Sequence, residues 1–407
     1  MSRANYPTSY LPLLRIRDFQ RTATHARIHP LDRGTPACRS NRTPKLQSFT
    51  LNRMPRKAQP ARSAAAPHPD DIRTWLRGLP KAELHLHLEG TIEPATLVAL
   101  SQRHDAAPLT LADARSLYTY TDFLGFLDAF KAVSSRLRTP DDYEFITYNM
   151  VRGLAAQGVV HAEVYISFGI IYYFKQTDPE PYVAAIERGR LRAEQEFGTT
   201  VLWLIDAVRH FGTDEAARVF RRAAELRPQY PSIIGIGIGG DEARGPASQF
   251  KALYDEARDA GLRLTAHAGE SGGPVDGTAS IWAAINIGAE RIGHGLAAQH
   301  DPQLLEVLAE KQIPVEVNVT SNVRTGCCPS FRDHPIRSYF DSGLFVTLNS
   351  DDPPMFGANL LDEYVLAHDE YEFTPDQLRE LAANAAEASF LPPHEKLALL
   401  SRIEQYR

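Results

Sequence analysis

Leu84, Leu86 and Leu88 alternate with His85 and His87 in the run ELHLHLEG at 83–90. A period of two sends the leucines to one face of a strand and both imidazoles to the other. On a helix the two histidines would stand about 200° apart, so the pairing makes sense only on a strand. Seven further β-rich runs follow, at 159–167, 200–208, 232–240, 263–270, 291–295, 314–322 and 345–353. Helical patterns such as 178–197 and 248–261 lie between them, each ending near Gly or a polar cluster. Eight strand–helix units over roughly 300 residues predict an α/β fold, a (β/α)8 TIM barrel. The alternative is a doubly wound open sheet. The barrel is favoured by the count of eight and by polar residues gathered at the C-terminal ends of the strands.

About 70 residues separate the first two strands, far more than a barrel connection needs. They include TDFLGFLDAFKAVSSRL and DDYEFITYNMVRGLAAQG, both amphipathic helices by pattern, with Phe123, Phe126, Leu127 and Phe130 at helical spacing. Extra helices after strand one are expected to lie over the barrel mouth as a lid.

Composition narrows the class. In 407 residues, 43% hydrophobic and 23% charged content describe a globular, non-membrane protein, and no apolar run reaches the 18 or so residues of a membrane span. A net charge of −6 gives no reason to expect a nucleic-acid partner. Cys38, Cys327 and Cys328, odd in number and partly adjacent, make a poor disulfide framework and point to a reducing, cytoplasmic location. Charge is uneven: residues 1–66 carry thirteen Lys/Arg against Asp18 and Asp32. This basic tail lacks apolar periodicity and reads as disordered. Its acid-poor, Arg-rich character is like some transit peptides, but a start at Met54 is the simpler expectation. Residues 67–407 form the expected catalytic domain. Nothing in the chain points to an oligomeric state.

The strand ends carry the candidate chemistry. Strand five ends in HAGE, with His267 and Glu270; strand six in GHG, with His294; strand eight in SDDP, with Asp351 and Asp352. Each fragment alone is weak. Together, strands one, five and eight offer three histidines and an aspartate, a donor set suited to one Zn²⁺. In a closed barrel strands eight and one are neighbours, so Asp351 can meet His85 and His87, and His267 reaches across the mouth.

HLHLEG, HAGE, RIGHG, TSN and NSDDP, in this order and spacing, resemble the adenosine deaminase family of amidohydrolases from about Leu79 to Phe390. The resemblance implies that His85, His87, His267 and Asp351 bind zinc, that Glu270 protonates the purine ring, and that His294 orients the attacking water. It further implies that Asp352 and the backbone N–H of Gly240 meet ring nitrogens. The expected reaction is hydrolytic loss of the 6-amino group of a small-molecule purine nucleoside.

Departures from the family pattern bear on the substrate. Adenosine-specific members commonly have Asp at Glu89, where it holds the ribose 5′-hydroxyl, and an acid at Gly237. Adenine-type members share Glu89 but usually have Asp at Gly293. The runs at 236–240, 349–357 and 387–393 look closest to the branch acting on 6-amino-6-deoxyfutalosine, a 5′-extended nucleoside of a menaquinone route, with adenosine as the alternative and adenine less favoured. Arg324 is a candidate partner for a distal carboxylate. Cys327 and Cys328 lack the P-C-x-x-C spacing of cytidine-type deaminases and read as structural. A cyclic-amide hydrolase is disfavoured because strand four has no lysine, and a non-catalytic barrel because no candidate ligand is missing.

Overall fold

The computed structural model describes residues 71–407; the basic tail and the choice of start lie outside the described residues. Eight parallel strands stand in sequence order: β1 (Lys81–His87), β2 (Val159–Ser167), β3 (Thr200–Val208), β4 (Ile233–Gly239), β5 (Arg263–Ala268), β6 (Arg291–His294), β7 (Val315–Val317) and β8 (Val346–Leu348). Their inward layers and surrounding helices bury one continuous apolar core. The predicted (β/α)8 barrel is therefore the observed fold.

β8 is only three residues long, and closure onto β1 is completed beyond it. Leu86 and Asp351 form a parallel bridge in which the His87 N–H donates to the Asp351 carbonyl and the Asp351 N–H to the His85 carbonyl, both at 3.0 Å. Side chains extend the seam. The Leu84 N–H donates to Asn349 Oδ1 at 2.9 Å, and the Ser350 N–H to Glu83 Oε1 at 3.0 Å.

The pattern at 314–322 misleads beyond Val317, because Val319–Arg324 is a helix. Its alternating β-branched residues favour a strand, but the fold uses a helical turn to bring Asn318 and Asn322 onto one face, where both amides reach His294. The long connection also divides. The helix Phe123–Ser134, capped by the Asp122 side chain, lines the barrel's cavity. The helix Pro140–Ala155 instead packs on the Glu180–Phe197 helix at the flank. Of the two helices expected over the mouth, Phe123–Ser134 contributes to the cavity lining and Pro140–Ala155 does not.

Beneath the mouth, Arg291 of β6 is buried between two carboxylates, Glu163 of β2 and Glu316 of β7. Burial opposes the charge on Glu163, but Arg291 and then His161 outweigh it and hold that carboxyl down at about 2. The depressed acid stabilises the fold fully above its ordinary value near 4.5 and loses that contribution as pH falls toward 2. Replacing Arg291 by Met removes the guanidinium that these two buried carboxylates share. The expected cost is about 3–5 kcal/mol, read as a lower denaturant midpoint at neutral pH, with the gap from wild type narrowing on acidification.

Candidate active site

The ring nitrogens of the strand-end histidines are committed by hydrogen bonds. His85 Nδ1 lies 2.8 Å from Glu316 Oε2, and His267 Nδ1 lies 3.0 Å from the Ile238 carbonyl. An acceptor opposite Nδ1 requires the proton there, so both Nε2 atoms present lone pairs to the cavity. His87 Nε2 stands 3.1 Å from His267 Nε2, and Asp351 Oδ1 is 3.5 Å from His85 Nε2 and 3.3 Å from His87 Nε2. His85 Nε2 is buried with no hydrogen-bond partner. Convergent lone pairs repel unless a cation lies among them, so this N₃O set fits a divalent transition metal. The four predicted ligands are brought together.

His294 also falls within 4.8 Å of His85, His267 and Asp351, by ligand-atom spacing alone a fourth nitrogen for the metal. A hydrogen-bond chain argues otherwise. The Ile336 N–H donates to His334 Nδ1, leaving His334 Nε2 to donate to Asn322 Oδ1, which turns the Asn322 amide toward His294 Nδ1 at 2.9 Å. With Nδ1 accepting, neutral His294 carries its proton on Nε2, which faces Glu270 at 3.7 Å and Asp351 at 3.8 Å. It is placed to donate and not to ligate. Burial pushes this imidazole down to about 3, so the neutral form prevails. Both His294 and Asp351 have left-handed backbones, φ 64° and 66°, a conformation costly outside glycine and concentrated at functional sites.

Glu270 lines the cavity, buried, and burial together with the charges of Asp351 and Glu242 holds its carboxyl well above the usual range. Both causes favour the protonated carboxyl of Glu270 over the carboxylate. Its loop is built by Glu242, which accepts the N–H groups of Gly269, Glu270 and Ser271 at 2.9, 2.9 and 3.1 Å and a hydrogen bond from Ser280 Oγ. Burial and the neighbouring Asp351 likewise raise Asp352, whose Oδ1 has no partner. Gly240, φ 90°, lines the same cavity. Glu89 is buried, with Oε1 accepting the Ser167 N–H at 3.2 Å.

The cavity measures about 530 Å³ and opens past Leu124, Tyr173 and Phe211, three of the exposed large apolar side chains of the described residues. Arg324 does not line it; it is exposed on the helix after β7, and the cations at the cavity wall are Lys131 and Arg244. Cys327 and Cys328 are free thiols. Burial and nearby Glu270 push the Cys327 thiol up to about 12, and neither cysteine belongs to a metal-capable group of the described residues. Sequence reasoning missed Glu242, Glu316, Asn318, Asn322 and Asp206. The last, an acid in the apolar run LWLIDAV, was the one with a visible signal.

A parallel barrel with three histidines and an aspartate at its C-terminal mouth, beside a buried glutamate whose carboxyl is pushed upward, fits a metal-dependent hydrolase. The adenosine deaminase family model matches residues 80–406. The chain is 38% identical over 346 residues to an aminodeoxyfutalosine deaminase of Streptomyces avermitilis, covering 83% of this chain and 93% of that one. Among solved structures, an adenine deaminase from Arthrobacter aurescens superposes with TM-score 0.75 at 32% identity, over 81% of this chain and 99% of that one. A zinc-bound amidohydrolase from Burkholderia ambifaria gives TM-score 0.74 at 28% identity, over 82% and 91%. The chain belongs to the adenosine deaminase family and is a hydrolytic deaminase.

Because Glu316 sets the His85 tautomer, Glu316→Ala is expected to weaken metal binding by about 10- to 100-fold. Competition with a chromophoric chelator measures it; unchanged affinity would mean His85 needs no such partner.

Proposed function

We propose that this enzyme hydrolytically deaminates 6-amino-6-deoxyfutalosine, a step of menaquinone biosynthesis, with one Zn²⁺ held by His85, His87, His267 and Asp351. The carrying observation is the apolar, aromatic mouth of the cavity, which continues outward from Glu270 past Phe130, Tyr173, Phe174 and Phe211. A free base would leave this wall bare, whereas an aryl group on the 5′ side of a nucleoside would cover it, with Lys131 and Arg244 near its carboxylate. The likeness to aminodeoxyfutalosine deaminases supports the same reading. Gly293 speaks against the adenine-type pattern, since a Cβ there would come within 2.7 Å of His85 Cε1. Adenosine is the second reading, because it would use the same polar floor. The helix Phe123–Ser134 acts as the lid, and the free thiols of Cys327 and Cys328 accord with a cytoplasmic enzyme.

Bound zinc would supply a water made nucleophilic at neutral pH. With its Nε2–H facing the space beside Glu270 and Asp351, His294 would hold the attacking water toward C6. Glu270 donates its proton to N1, which draws electron density from C6 as the C–O bond forms. Asp352, as a neutral acid, and the Gly240 N–H hold the other ring nitrogens. The water's two protons balance the step: one restores the Glu270 acid, the other passes to the 6-amino group, and the C6–N bond breaks to release ammonia and leave a C6 carbonyl. Glu270→Gln keeps the shape and loses the acid. Turnover is expected to fall by at least 10² to 10⁴-fold while metal content, read by elemental analysis, stays unchanged; retained turnover would remove Glu270 from the role.

Initial rates of ammonia release test the substrate. With metal-loaded protein, 6-amino-6-deoxyfutalosine should exceed adenosine and adenine by about a hundredfold, or about 2.7 kcal/mol of transition-state preference. Faster turnover of adenosine would make this a purine-salvage enzyme.

A further inference from the structure

Two buried polar atoms of the cavity wall have no partner in the protein and no role in the chemistry above: Ser167 Oγ and Asp206 Oδ1. They are not scattered. Ser167 closes β2 and pairs in register with Asp206 of β3, which pairs in turn with Gly237 of β4. Register partners on adjacent strands point to the same face, so the three positions form one row around the inside of the mouth. Gly237 leaves the row open. A Cβ there would lie 3.3 Å from Asp206 Oδ1 and only 2.7 Å from Tyr165 Cε1. The row nonetheless carries an acid. Asp206 stands one strand over, in the space that a side chain at 237 would crowd.

The groups assigned to the purine come from other strand ends: Glu270 follows β5, Gly240 follows β4 and Asp352 follows β8, whereas Ser167 is the last residue of β2 and Asp206 stands two residues before the end of β3. Glu89 is already engaged by the Ser167 N–H. Among the described residues no ion pair reaches Asp206, and it belongs to neither metal-capable group. A buried carboxylate oxygen without a donor is costly unless a ligand provides one. A hydroxyl satisfies both atoms, donating to Asp206 and accepting from Ser167, and a ribose ring offers two on one edge.

We propose that Ser167 and Asp206 form a sugar-hydroxyl site that grips the ribose of the substrate and selects a nucleoside over the free base. This rests on the nucleoside reading but not on which 5′ group the nucleoside carries.

The test is a cycle between enzyme and substrate, using the metal-loaded full chain. kcat/KM is measured for adenosine, 2′-deoxyadenosine and 3′-deoxyadenosine with wild type, Asp206→Asn and Ser167→Ala, alongside adenine and 6-amino-6-deoxyfutalosine. Loss of one deoxy substrate's hydroxyl should cost wild type about 10- to 100-fold. Asp206→Asn should lower the ribonucleoside by a similar factor and the matching deoxynucleoside by about threefold or less, collapsing the discrimination at constant metal content. Ser167→Ala should do the same more weakly, and serves if the Asp206 variant does not fold. Equal losses on ribo- and deoxynucleosides, or no discrimination in wild type, would overturn the sugar site while leaving the nucleoside reading intact. Turnover of adenine with no nucleoside would overturn both.

Discussion

The interaction on which the site depends is the seam between the last strand and the first. Two backbone hydrogen bonds between Asp351 and the His85–His87 segment close the barrel. The same bonds set the Asp351 carboxylate 3.3–3.5 Å from both imidazoles. Closure and metal capture are thus one geometric event. The left-handed backbone of Asp351 turns the chain at this point, and its cost is borne by the seam, where Glu83 and Asn349 add bonds from side chains buried beneath the mouth.

A second dependence runs through the barrel floor. Glu163, Arg291 and Glu316 form a buried ion triad, and Glu316 spends its other oxygen on His85 Nδ1. A triad of this kind is a poor source of stability by itself, since apolar replacements often match it. Its value here is directional: it keeps the proton of His85 on Nδ1 and the lone pair on Nε2. His294 is set the opposite way by the chain from Ile336 through His334 and Asn322. Two histidines in one pocket are given opposite tautomers by their outer partners, so one presents a lone pair to the cavity and the other an N–H.

The legible part of this protein was the part written locally. ELHLHLEG announces a strand with two inward imidazoles because both the period and the chemistry lie within eight residues. HAGE, GHG and SDDP are equally compact, and eight such ends in series define the barrel. What escaped reading was assembled across strands. Glu316 and Asn322 look like ordinary polar residues of an alternating run until β6 and β7 bring them to His85 and His294. Glu242 matters because three backbone N–H groups of another loop converge on it. The helix at Val319–Arg324 escaped because its β-branched residues follow strand propensity while tertiary contacts demand a helical turn.

Asp206 shows the same lesson for specificity. Read along β4, Gly237 is a position where adenosine-specific members commonly carry an acid. Read around the barrel, the register partner of Gly237 on β3 is itself an acid, Asp206. A cylinder of parallel strands allows either position to carry one, because neighbouring inward positions address the same volume from slightly different directions. The position decides what surrounds the acid. From β3 it sits beside Ser167 and below the apolar wall of Tyr173 and Phe211, so a polar floor and an aromatic exit lie in line. A ligand that is polar at one end of its sugar and apolar beyond it satisfies both surfaces at once.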